Sequence, residues 1–129
     1  MKKTLTIALL VVASSLVACG KDIPPKAKAQ EVSITASTWS KLQQAYIMER
    51  ETVGSDEQTA FRAPDSQYFR YETNVSGNTA TLKITLKEPL DKCKNGVWTV
   101  SINAKDDTPK TQITGDGCAE LTPNFHNIR

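Results

Sequence analysis

The sequence predicts an α+β fold in which one long N-terminal helix lies on a three- or four-stranded antiparallel sheet. A change of period carries this reading. Val32, Ala36, Trp39, Leu42 and Tyr46 follow one another at spacings of 4, 3, 3 and 4, which puts them on one face of a helix. From Phe69 onward the period falls to two, the mark of strands with one buried and one wetted face. One small domain with a shared core buries both apolar surfaces, and the sequence shows no internal repeat and no second domain.

The helix is expected from Ala27 to about Val53, with Lys41, Gln44 and Arg50 on its wet side and Gly54-Ser55-Asp56 as its stop. The β-branched residues between Val32 and Thr38 weaken its first turns. After a loop through Pro64-Asp65, Phe69, Tyr71, Thr73 and Val75 alternate with Tyr68, Arg70, Glu72 and Asn74. Ser76-Gly77-Asn78 is a turn, and beyond it Ala80, Leu82, Ile84 and Leu86 oppose Thr81, Lys83, Thr85 and Lys87. Pro89 ends that strand, and Trp98, Val100 and Ile102 mark a third. Lys105 to Lys110 reads as turn, Thr111 to Thr114 as a short fourth strand, and Gly115-Asp116-Gly117 leads into Cys118 and an irregular tail.

The N-terminal text has a different character. Lys2 and Lys3 precede an apolar run, Leu5 to Val17, that is too short to span a bilayer comfortably. Leu16-Val17-Ala18-Cys19 resembles a bacterial lipobox. The resemblance implies that residues 1–18 are a removed lipoprotein signal peptide and that Cys19 is the acylated N-terminus, anchored in a lipid bilayer. The alternative is a plain secretory signal with an incidental cysteine. Residues 19–28 then form a tether, in which Pro24-Pro25 favours extended chain, and residues 29–129 form the globular domain. Gly20 stands where lipoproteins held at the inner membrane often carry Asp, which implies the outer membrane of a cell envelope. Lys2 and Lys3 leave with the signal, so 16 basic against 14 acidic side chains becomes parity. Parity offers no basic stripe for nucleic acid, and Lys21, Lys26 and Lys28 read as a solvated linker.

With Cys19 lipidated, Cys93 and Cys118 remain as an even pair in an oxidising compartment, which predicts a disulfide. Closing a loop of about 25 residues contributes roughly 3.5 kcal/mol in the chain-entropy model. Two isolated cysteines and one histidine show no zinc-ligand spacing.

Glu31-Val32, Thr38-Trp39-Ser40-Lys41-Leu42-Gln43-Gln44-Ala45-Tyr46 and Val53-Gly54-Ser55 read like the exposed half of a spine helix and the loop after it. With Tyr68-Phe69-Arg70-Tyr71, and with Cys93, Trp98 and Cys118-Ala119-Glu120-Leu121-Thr122-Pro123-Asn124-Phe125, residues 27–125 resemble the globular head of bacterial type IV pilins. That resemblance implies a pilin-head fold whose disulfide-bounded C-terminal region is exposed and used for contacts. The chain departs from the family at its start, where Pro24-Pro25 would break any helix continuing from the apolar segment. It reads as a head without the filament-forming spine.

Residue chemistry offers no catalytic constellation. His126 sits in the C-terminal tail, and Glu49-Arg50-Glu51 reads as a solvated helix end. Asp106-Asp107 with Asp116 lacks the alternating spacing of a calcium loop and suits a turn. Trp39 and Trp98 fall on core stripes, which leaves Tyr68 as the candidate exposed aromatic. No nucleotide-binding glycine loop is present, and no cofactor or metal is expected. The expected function is a membrane-tethered, non-enzymatic interaction module of the envelope that binds a protein partner. Lys94, Lys105, Asp106, Asp107 and Lys110 are the candidate contacts, on loops held by the disulfide. The alternative is a small-ligand or glycan-binding lipoprotein that uses the polar sheet face, with Tyr68, Arg70, Lys83 and Lys87. A hydrolase is the third reading.

Overall fold

The computed structural model of the chain describes residues 23–129, so residues 1–18, expected as a signal peptide, and Cys19 lie outside the described residues. The first helix, α1, runs Pro25–Arg50. It opens inside the segment expected as tether: Pro24 is extended (φ −67°, ψ 158°) and Pro25 takes the first helical position. A proline fits there because that N–H has no partner within the helix and its φ is already helical. Residues 25–28, expected as the end of the tether, are thus helix, and residues 19–22 of that segment lie outside the described residues. At the other end Glu51 adopts a left-handed conformation (φ 59°), and its N–H bonds Ile47 O at 2.8 Å. The helix therefore stops before Gly54, the expected breaker. Gly54 is buried instead, where a Cβ would lie 2.9 Å from the Tyr46 ring. A four-residue helix, α2 (Asp56–Thr59), follows with a complete Ser55/Gln58 capping box.

The buried stripe of α1 is Ala29, Val32, Ala36, Trp39, Gln43 and Ile47. Leu42 and Tyr46, expected at its centre, flank it half-buried. A helix turns once per 3.6 residues, so Ile47 lies five whole turns from Ala29 and the buried stripe stays straight, while Leu42 and Tyr46 fall to one side of it.

Four antiparallel strands, β1 (Phe69–Ser76), β2 (Thr79–Leu86), β3 (Val97–Asn103) and β4 (Asp106–Thr114), form a sheet in simple chain order. Gly77, at φ 58°, opens the two-residue β1–β2 turn. Inward residues align across the sheet: Tyr71 faces Ile84, Ile84 faces Trp98, and Trp98 faces Ile113. The fourth strand corrects the sequence reading. Asp106–Lys110, expected as turn, is the first half of β4, with Ser101 paired to Lys110 and Asn103 to Asp106. Pro109 is tolerated because β4 is an edge strand with only one neighbour. The turn shrinks to Ala104-Lys105, where the Asn103 side chain accepts the Lys105 N–H at 2.9 Å.

The helix crosses the sheet on a diagonal, as its polar contacts show. Near its start Glu31 meets Tyr71 on β1, and near its end Gln44 donates to Asp107 O on β4 at 3.0 Å. Two opposite corners of the sheet are left uncovered by this crossing. The α1–α2 loop and α2 fill the corner over the end of β1. The C-terminal tail fills the corner over the end of β4. That tail, expected to be irregular, forms two 3₁₀ turns, Ala119–Leu121 and Phe125–Asn127, with Leu121 and Phe125 buried. The Cys93–Cys118 disulfide joins it to the approach of β3. Trp98 lies beneath, edge-on to Phe69 at 5.7 Å, with its Nε1 donating to Thr122 Oγ1 at 2.8 Å.

Candidate functional site

The five candidate contact residues do not form one surface. Lys94 lies between Cys93 and Gly96 at the disulfide end, beside a cavity of about 560 Å³ lined by Lys92, Lys94, Asn95, Gly115 and Asp116. Lys105, Asp106 and Asp107 sit at the β3–β4 turn, at the opposite end of β3, and Lys110 follows on β4. At ~3.3 Å per residue the two groups are roughly 20 Å apart. Asp116 likewise stands at the far end of β4 from Asp106 and Asp107, too distant for a shared cation. Among the described residues no group of three or more metal-ligating side chains comes together.

The outward face of the sheet is polar apart from Val97. Its rows run Arg70, Thr85, Val97, Thr114; then Glu72, Lys83, Thr99, Gln112; then Asn74, Thr81, Ser101, Lys110. No aromatic ring lies on it, because every Trp, Tyr and Phe is buried or half-buried among the inward residues, the helices or the tail. Tyr68 corrects the sequence reading: it precedes β1, packs against the core, and carries Lys28 Nζ 4.6 Å above its ring. Its ring is a cation–π partner for α1. Comparison with family models, curated proteins and solved structures finds no match.

A polar hub joins the start of α1 to the start of β1. Glu31 accepts from Tyr71 OH at 2.9 Å and from Ser66 Oγ at 3.1 Å. Ser66 Oγ in turn accepts the Phe69 N–H at 3.2 Å, and Lys87 Nζ donates to Ser66 O at 2.7 Å. Burial pushes the Tyr71 hydroxyl well above the ordinary phenol range; Thr35 opposes the shift, while the Glu31 carboxylate reinforces it. The Tyr71 hydroxyl thus keeps its proton and donates it in the hydrogen bond to Glu31. His126 is exposed, with Nδ1 2.7 Å from Thr111 Oγ1, so it tethers the tail to β4.

Three concavities were not legible in the sequence. One, of about 460 Å³, opens where α2 meets β1, between Trp39, Gln43, Asp56 and Val75. The other two, of about 600 and 320 Å³, adjoin along the outer side of α1 and share Ser33, Ile34 and Asn124. Each depends on how a distant segment docks on the helix, and the local residue pattern carries no trace of that. No described helix is long and apolar enough to cross a membrane.

Proposed function

We propose that this chain is a membrane-tethered, non-enzymatic interaction module of the bacterial cell envelope, with a pilin-like head held by an acylated Cys19 at the outer membrane. The observation that carries the reading is the outward face of the sheet, largely polar and free of aromatic rings. Such a face suits protein contact and gives a sugar or small ligand nothing to stack on. The pilin-like part is supported by the order of elements: one long helix, an antiparallel meander, and a C-terminal segment joined by disulfide to the approach of β3.

The diagonal helix also orients the module. Pro25 starts α1 at the end of the domain that holds Lys94 and the disulfide, so an anchor at Cys19 would place that end nearest the bilayer. The β3–β4 turn, with Lys105, Asp106, Asp107 and Lys110, would then face away and meet an envelope protein partner. The test is crosslinking in intact envelopes. Because Asp106–Lys110 are paired in the sheet, charge substitutions are the proper probes: Lys105→Glu with Lys110→Glu should abolish partner capture with fractionation unchanged. Cys19→Ala should release the protein from the membrane fraction. Capture lost instead on altering Arg70 and Lys83 would favour the sheet-face, ligand-binding alternative.

A further inference from the structure

We infer that the groove between α1 and the C-terminal tail receives an acidic, apolar-anchored segment of a protein partner. The groove is the joined pair of cavities along the outer side of α1, reaching from Lys26 to Lys41. Ile34 projects from its middle, 64% exposed, and half-buried Ile128 lines the same trough. Lys26, Lys41 and Arg129 are exposed along its edges, and no Asp or Glu lines either cavity. The nearest carboxylate on that stretch of helix, Glu31, is turned to the other side and occupied by Tyr71 and Ser66. Two lysine ammonium groups beside an apolar ridge, with no Asp or Glu side chain in the lining, match an occupant bearing carboxylates around an apolar anchor.

The same charges argue against the other occupants. A second copy seated here would bring two sets of like charges together with nothing between them. A bilayer presents a plane, whereas the trough lies on both sides of Ile34 and suits a narrow chain. Ser33 and Ser37, small residues of the lining, let that chain approach the helix closely. Fifteen helical residues rise about 22 Å, enough for six or seven extended residues or a four-turn helix. This groove is distinct from the β3–β4 turn, so either contact can fail alone.

The experiment pans a random-peptide display library against the full chain in detergent micelles, then measures the enriched peptides on Ile34→Asp, Lys41→Glu and Lys105→Glu. All three positions are exposed, and circular dichroism verifies that each variant keeps its fold. The inference expects peptides with acidic residues flanking an apolar one. Their affinity should fall about tenfold or more in Ile34→Asp and in Lys41→Glu, weaken with added salt, and stay unchanged in Lys105→Glu. It is overturned if nothing is enriched, if the enriched peptides are neutral or basic, or if Ile34→Asp binds them as the parent does. It is equally overturned if the chain forms a dimer that Ile34→Asp dissolves, or if phosphatidylglycerol vesicles capture it through Lys41 while the peptides do not.

Discussion

The two corners left open by the diagonal helix present the same problem and are closed by different means. Over the end of β4 the closure is apolar and covalent: Leu121 and Phe125 are buried, and the Cys93–Cys118 bridge ties their segment to β3. Over the end of β1 Phe61 and Val53 are buried, but the loop is held by polar bonds. Gln43 Nε2 donates to Gly54 O at 2.6 Å and Gln43 Oε1 accepts Gly54 N–H at 3.0 Å, while Thr73 Oγ1 donates to Asp56 Oδ2 at 2.8 Å. The tail is restrained by a crosslink to the approach of β3. A loop already tied at both ends needs only its orientation fixed, and one buried amide supplies that.

The largest effect should come from the covalent corner. Cys93→Ser is expected to lower unfolding stability by about 2–4 kcal/mol, because the unfolded chain regains the freedom of a loop spanning 25 residues. The tail should loosen first, visible as lost protection at the Trp98 indole N–H, whose partner Thr122 it carries. Gln43→Met tests the polar corner at nearly constant volume. It leaves the buried N–H and C=O of Gly54 unpaired, so about 2–3 kcal/mol should be lost in urea unfolding. If Gln43→Met costs more than Cys93→Ser, the amide and not the crosslink is the stronger closure, and the contrast between the corners reverses.

The two corners were also unequally legible. The bridge could be read because two cysteines expected in an oxidising compartment leave few alternatives, and the alternation of Ala80, Leu82, Ile84 and Leu86 gave β2 its bounds. Nothing marked Gln43 as buried. A glutamine between Leu42 and Gln44 looks solvated until the loop that returns to bond it is in place. The β4 error has a similar cause: Asp106-Asp107-Thr108-Pro109 is turn text locally, and it pairs as strand because β3 presents a ladder to it, with the edge position excusing the proline. The divided candidate surface has another cause: Lys94 precedes and Lys105 follows the strand Val97–Asn103, so the two loops lie at its opposite ends although both fall within the disulfide-bounded region.

A smaller effect sharpens the polar corner. Ser55→Ala removes the hydroxyl that accepts the Gln58 N–H at 3.2 Å, half of the α2 capping box. A loss of about 1 kcal/mol is expected in thermal or urea unfolding, with Cys93–Cys118 and the tail undisturbed. Loosening that spread to the Trp98 indole would mean that the corners are coupled through the helix and do not act separately.

The last test concerns the helix start, which belongs to neither corner and pins the diagonal. Tyr71→Phe removes the proton that Glu31 accepts and should lower stability by about 0.5–1.5 kcal/mol at neutral pH. The pH dependence distinguishes this bond from simple packing. The Tyr71 phenol is held above its unfolded value, so the folded state keeps a proton that the unfolded state gives up above about pH 10. Stability from this group is therefore fully present below that pH and declines as the pH rises past it. The parent should accordingly lose stability faster than Tyr71→Phe between about pH 9 and 11.5, and the gap between them should narrow. Absorbance of tyrosinate should show one of the three tyrosines ionising last in the parent, with that late step missing in Tyr71→Phe. A gap that stays constant across this range would mean that the hydroxyl contributes only shape, and that the helix is held on its diagonal by the two corners alone.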